Sequence, residues 1–315
     1  MKIFVTGGGG FLGSELVKQL KIEGHDVVSP TSKQCNLLDA ESLKPYSDVK
    51  YNRIYHLAAW TQAGDFCLRH PGEQWINNQL INTNAINWWR NEQSEAKFIC
   101  MGTSCAYSTD IELRESNYMT GEPIDSLYTY AMTKRMLYQG VRAMQKQFQM
   151  KWLCAVPSTL YGSGYHTDGR QMHFIFDLIR KILRGKYLGE QVVLWGNGHQ
   201  RRELVHVRSF VEVLMALAEN TENQLLNIGA GIDYSIREFA EQICRLVEFD
   251  SEKIYYDTTK YVGAESKVLS IVEIKKIIPD YSARMISLEE GLRETVDWFM
   301  SEKAYLHASE RVKLI

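Results

Sequence analysis

The sequence predicts an α/β protein: a doubly wound parallel sheet carrying a smaller α/β substrate domain. Three features predict it. A glycine-rich turn stands between a strand and a helix at the start, strand and helix segments alternate over the first half, and the pattern changes after Pro157. "KIFVT" is an apolar run rich in β-branched and aromatic residues, hence a strand. The helix after the glycines carries Leu12, Leu16, Val17 and Leu20 at helical spacing, and "HDVV" reads as a second strand ending near Val28. "RIYHLAAW" (53–60), "KFICMGT" (97–103) and "KWLCAVP" (151–157) read as further buried strands, separated by helices over 74–91 and 127–149. Beyond Pro157 follow a helix near 172–185, the strand and turn "VVLWGNG", then "ELVHV", another helix, "LLNIGAG" and the amphipathic "SLEEGLRETVDWFM". The expected division is 1–158 with 207–230 as a dinucleotide-binding domain of the Rossmann type, and 159–206 with 231–315 as the substrate domain. No flexible linker separates them, so ligands are expected in a cleft between the two.

Composition narrows the chemistry. With 315 residues, 45% hydrophobic, 23% charged and 6 prolines, the chain is long and apolar enough for a real core. A net charge of −2 and no block of like charges give no field for nucleic acid or an anionic membrane. The six cysteines show neither CxxC pairs nor a histidine-rich cluster, so no metal site or disulfide framework is expected, and the compartment reads as reducing. "MKIFVT" runs straight into glycines rather than into a long apolar stretch, and no run of about 18 apolar residues occurs, so a cytoplasmic protein is expected.

Gly7, Gly10 and Gly13 fit G-x-x-G-x-x-G. The first permits a tight turn, the second lets a pyrophosphate approach the backbone, and the third packs helix on strand, with the phosphates at the helix N-terminus. At the end of the second strand a free ribose 2′-hydroxyl would be met by Asp or Glu, but "SPTSK" offers hydroxyls and Lys33, which suits a 2′-phosphate. The expected cofactor is NADP(H). Asp39 is either an adenine contact or a helix N-cap before "AESL". "YAMTK" places Tyr130 and Lys134 on one helix face, 27 residues after Thr103 at the end of a strand. An ammonium beside a phenol lowers its pKa and makes it a usable proton donor or acceptor.

With these motifs the chain resembles the extended short-chain dehydrogenase/reductase family and, within it, the GDP-L-fucose synthase branch. "GTSCAY", "YAMTK", "PSTLYG" and "VVLWGNGHQRREL" are similar to segments of that branch, and the resemblance covers nearly the whole chain. It implies that Tyr130 protonates a sugar O4, that Lys134 tunes Tyr130 and holds the cofactor ribose, and that Thr103 binds O4. Cys105 and His173 are implied as the pair that exchanges protons beside a 4-keto group, inverting C3 and C5 before hydride reaches C4. A packing role for either residue remains open. The implied cofactor contacts are Gly7, Gly10, Phe11, Leu12, Gly13, Lys33, Asp39, Leu57, Ala58, Ala59, Tyr130, Lys134 and Pro157. Those to the substrate are Thr103, Ser104, Thr159, His173, Lys181, Trp195, Arg202 and Lys267, the three cations being placed around a nucleotide diphosphate. Thr159, Lys181 and "HVRS" (206–209) depart from the branch pattern of Asn, Arg and His-Val-Asp-Asp, and leave the sugar open.

The implied activity is NADPH-dependent C4 reduction of a GDP-linked 4-keto-6-deoxy hexose or heptose for surface polysaccharide, with or without epimerisation. A homodimer through helices 74–91 and 127–149 is implied by analogy. The competing readings are a nucleotide-sugar 4-epimerase or 4,6-dehydratase that keeps its cofactor bound, and a non-catalytic NADP-binding subunit. Ser104 and Cys105 stand where a dehydratase would show Asp-Glu.

Overall fold

The structure is a computed structural model that describes residues 1–168, 170–260 and 265–306. In chain order its elements begin with β1 (Lys2–Thr6), α1 (Phe11–Ile22), β2 (Asp26–Val28), β3 (Arg53–His56), α2 (Phe66–Arg69), α3 (Pro71–Glu92) and β4 (Lys97–Met101). Then come α4 (Tyr128–Phe148), β5 (Trp152–Pro157), β6 (Thr159–Tyr161), α5 (Phe174–Leu188), β7 (Val192–Trp195), β8 (Arg201–Arg202), β9 (Leu204–His206) and α6 (Val207–Asn220). The remainder are β10 (Gln224–Ile228), β11 (Tyr234–Ser235), α7 (Ile236–Val247), β12 (Ile254–Asp257), α8 (Val272–Ile277) and α9 (Leu288–Ser301).

Six strands form one sheet in the order β10-β5-β4-β3-β1-β2, and every neighbouring pair in it is parallel. The period of two sorts the side chains to opposite faces. Phe4, Phe98, Cys100 and Cys154 point to a core covered by α3 and α4, with Trp88, Trp89, Leu137 and Val141. Ile3, Val5, Ile99 and Leu153 point to a second core under α1, α6 and α8, with Leu16, Phe210, Leu214 and Ile274. Both faces are buried, as a parallel sheet requires.

The chain crosses from β1 outward to β2 and then returns to place β3 on the other side of β1. That reversal opens a crevice at the carboxyl ends of β1 and β3, where ligands bind in open α/β sheets. The apolar runs 53–60 and 97–103 extend beyond their strands because the chain leaves the sheet after His56 and Met101 and turns toward this crevice. A third core, built by α5, α7 and α9 around the stacked rings of Phe176 and Phe299, lies under the short pairs β7·β12 and β6·β9. Phe11 at the start of α1 packs edge-on against Tyr165 and Phe176, which joins the glycine turn to this third core.

Candidate active site

At two positions the glycine turn has no room for a side chain. Gly7 sits at φ +71°, and a Cβ there would lie 2.7 Å from the amide nitrogen of Ala58; one on Gly13 would lie 2.1 Å from the Gly7 carbonyl oxygen. The N-terminus of α1 has no side-chain cap and no acidic residue in its first turn, so its free N–H groups and dipole face the crevice. These are the properties a dinucleotide pyrophosphate needs. Lys33 is exposed in the turn after β2. Asp39 accepts a hydrogen bond from the Glu41 N–H at 3.0 Å and so caps the 3-10 turn Ala40–Tyr46.

The floor of the crevice rests on a buried chain of polar groups. The Ala58 N–H donates to Thr6 Oγ1 at 3.2 Å, Thr6 Oγ1 meets His56 Nδ1 at 3.0 Å, and His56 Nε2 meets Asn82 Oδ1 at 3.1 Å. Asn82 Oδ1 is only an acceptor, so His56 carries its proton on Nε2 and takes the Thr6 hydroxyl proton at Nδ1. Burial drops the His56 pKa from 6.5 to about 4. Between these two values the unfolded chain binds more protons than the native one, so stability is lost as pH falls from 6.5 toward 4, by about 3 kcal/mol for this one group. The melting temperature should therefore fall over that window less steeply in His56→Gln than in the parent. Equal slopes would remove His56 as the cause.

Thr103 ends the run out of β4. Its amide donates to Tyr118 Oη at 3.3 Å, and its Oγ1 accepts from the Cys105 N–H at 3.3 Å, capping the 3-10 turn Ser104–Ala106. α4 presents Tyr130 and Lys134 to the same place, as the spacing of four predicts. Arg135, the next residue, is buried and spends its guanidinium on carbonyls: Nε and Nη2 donate to Ala106 O at 2.9 and 2.6 Å, and Nη1 donates to Gly121 O at 2.8 Å. It ties the turn that carries Cys105 to the helix that carries Tyr130. Lys267 completes the group, its Nζ lying 3.9 Å from Cys105 Sγ.

One expectation about Tyr130 is corrected. Burial raises its pKa above the usual phenol value, with Cys105 adding to the rise and the Thr103 hydroxyl opposing it. The net shift is upward although the Lys134 ammonium is a neighbour. The ammonium lies over the ring, 5.9 Å from its centroid, and burial depresses the pKa of Lys134 itself, with the nearby thiols Cys100 and Cys154 acting the other way. In this arrangement Tyr130 is a proton donor.

The other predicted residues fall into two groups. Arg202, on β8, has its pKa lowered by burial and feels the charge of Cys105 from the opposite direction, so it shares the Cys105 neighbourhood. Pro157 and Thr159 flank the turn from β5 into β6, and Ser104 opens the turn of Cys105. His173 stands at the N-cap of α5 beside Tyr165. It is exposed to solvent, and partial desolvation with the neighbouring His166 draws its pKa downward. No hydrogen bond joins it to Cys105 among the described residues. Lys181 is engaged by Asp177 at 3.0 Å within α5, a pairing its i,i+4 spacing allows. Trp195 ends β7 and is 56% exposed.

Several supports escaped the sequence reading. Buried Glu203 accepts from the N–H groups of Gly231 at 2.7 Å and Leu269 at 3.0 Å, and burial raises its pKa to about 7. Asn227 donates to Leu113 O and Ser270 O while accepting from the Tyr107 hydroxyl. Both hold the segment that carries Lys267. "RE" beside a glycine turn hints at Glu203, but nothing in the sequence signals contacts 66 or 43 residues away.

A family profile described as the NAD dependent epimerase/dehydratase family matches residues 3–229. The GDP-L-colitose synthase of Yersinia pseudotuberculosis is 26% identical over 313 residues, covering 96% of this chain and 99% of that protein. The GDP-L-fucose synthase of Escherichia coli K12 is 26% identical over 317 residues, covering 96% and 97%. Among solved structures, a GDP-L-fucose synthetase from Naegleria fowleri superposes with a TM-score of 0.85 at 22% identity over 98% of this chain and 95% of that one. A GDP-6-OMe-4-keto-L-xylo-heptose reductase from C. jejuni does so with 0.84 at 20% identity, covering 96% and 98%. These likenesses show a shared fold.

Proposed function

The chain belongs to the NAD dependent epimerase/dehydratase family, and on that premise we propose that it is an NADPH-dependent C4 reductase of a GDP-linked 4-keto-6-deoxy sugar, coupled to proton exchange at C3 and C5. At the coarser level it is an NADP-dependent oxidoreductase that modifies a GDP-sugar, of the fucose synthase type. The observation that carries the reading is the meeting of Thr103, Tyr130, Cys105 and Lys267 beyond the carboxyl end of β4. Residues 1–158 with 207–230 hold the cofactor in this reading, and 159–206 with 231–315 the sugar nucleotide.

The glycine turn and the α1 N-terminus would hold the pyrophosphate, Lys134 the ribose and Lys33 a 2′-phosphate. When bound, the reduced nicotinamide supplies hydride for the carbonyl carbon. Thr103 and Tyr130 hold the carbonyl oxygen, and Tyr130 passes its proton to that oxygen as charge develops there. In the exchange step Cys105 sulfur takes a proton from the carbon beside the carbonyl. The bonding pair passes into an enolate whose oxygen rests on Thr103 and Tyr130, and protonated His173 returns a proton to the opposite face. His173 is exposed, so the proton it delivers is taken up from solvent. Arg202 is assigned to the diphosphate, with Trp195 toward the nucleotide.

Two expected results follow for the binding surfaces. Lys33→Ala should weaken NADPH binding and leave NADH binding unchanged in a fluorescence titration; equal effects on both would move the 2′-phosphate elsewhere. α3 and α4 pack together and leave Trp75, Ile76, Leu80 and Met136 exposed, which supports a homodimer through a four-helix contact. Light scattering that reports a monomer would remove that assembly. The activity is tested with NADPH and a panel of GDP- and dTDP-4-keto-6-deoxy sugars, with products identified by NMR. Reduction at C4 of a GDP sugar is expected; a protein that consumes no NADPH with any of them is not this enzyme.

A further inference from the structure

We propose that Lys267 is the counter-ion of a Cys105 thiolate, so that its working partner is sulfur rather than the nucleotide diphosphate. The proposal rests on the reading of Cys105 as the residue that takes a proton from the sugar.

The contact joins two fixed segments. On the lysine side, Leu269 N–H is held by Glu203 at 3.0 Å, Ser270 N–H by Leu113 O at 2.9 Å, and Ser270 O by Asn227 at 3.1 Å. On the thiol side, the turn is capped by Thr103 and clamped by Arg135 through Ala106. Backbone on both sides of the contact is anchored, and across it Nζ stands 3.9 Å from Sγ. Lys267 is half-buried, and among the described residues it has no carboxylate partner. A half-buried ammonium favours a nearby anion, and among the described residues the group within its hydrogen-bond reach that can become an anion is the Cys105 thiol. A cation at that distance favours thiolate, the form of cysteine that accepts a proton.

The charge on sulfur has a second effect. Cys105 faces Tyr130 and disfavours its ionisation, so while the sulfur is negative the phenol keeps the proton that reduction needs. One negative charge is shared between the two acids, and Lys267 places it on the base. Arg202, which also feels Cys105, remains for the diphosphate.

The five other cysteines are buried, so alkylation of the native protein reads Cys105. Iodoacetamide is applied at neutral pH to the full chain, to Lys267→Met and to Lys267→Arg, with the modified peptide identified by mass spectrometry and NADPH binding checked in each. The Cys105 rate should fall about tenfold in Lys267→Met and recover in Lys267→Arg, with NADPH binding unchanged. An unchanged rate in Lys267→Met would overturn the proposal, and a weakened affinity for GDP with that unchanged rate would return Lys267 to the diphosphate. Deuterium exchange into a 4-keto sugar separates this proposal from its premise. Alkylation that depends on Lys267 without any exchange leaves the ion pair standing and removes the epimerisation reading; exchange with alkylation indifferent to Lys267 removes the ion pair alone.

Discussion

Tyr130→Phe should lower NADPH-dependent reduction of the 4-keto sugar by about 10²- to 10⁴-fold, the usual worth of general acid catalysis, while NADPH still binds. The phenol is held protonated by burial and by Cys105, with the Lys134 ammonium 5.9 Å from its ring centroid. Phe keeps the ring and its packing on α4 but has no proton to give, and Thr103, which already receives the Cys105 N–H, is a far weaker acid. The alkoxide forming at C4 is then left without a donor. Stopped-flow or steady-state absorbance of NADPH reads the loss, and a variant with near-parental turnover would place the acid elsewhere.

Cys105→Ser should abolish deuterium wash-in at C3 and C5 when a GDP-4-keto-6-deoxy sugar is incubated in D₂O with oxidised cofactor. Enolisation precedes hydride transfer and does not require it, so the exchange is visible with no turnover at C4. A serine hydroxyl ionises far less readily than a thiol, and Lys267 gains nothing by facing it. Reduction of the unepimerised ketone should persist in the same variant, because Thr103, Tyr130 and Lys134 stay in place. Exchange that survives in Cys105→Ser would assign the base to another group; a parent that reduces efficiently yet washes in no deuterium would make Cys105 a packing residue.

Much of this site could be read from local spacing. Gly7 and Gly13 lie six residues apart around one turn, and each meets backbone where a side chain would stand, so the motif and its reason are both local. The Tyr130–Lys134 pair is likewise fixed by one helix. What the sequence hides is set by long-range packing. Cys105 and Lys267 are 162 residues apart, and their meeting depends on Glu203 and Asn227 gripping strands from three regions of the chain. The direction of the Tyr130 shift is not legible in the i,i+4 spacing, which puts Lys134 on the same face but says nothing of the burial that raises the phenol's pKa. Asp39 and Lys181 show the converse. Each has a partner within four residues, the Glu41 amide and the Asp177 carboxylate, that local spacing announces. Arg135 stood beside the Tyr-Lys motif, but a guanidinium that binds only carbonyls has no sequence signature.

The most direct test is the fate of the hydride. With NADPH carrying deuterium at both C4 positions of its nicotinamide and a GDP-4-keto-6-deoxy sugar as acceptor, one deuterium should appear at C4 of the sugar for each NADPH oxidised, and none should come from solvent at that carbon. A sugar epimerised at C4 without net NADPH oxidation, or a protein that binds the labelled cofactor and transfers nothing, would contradict a C4 reductase.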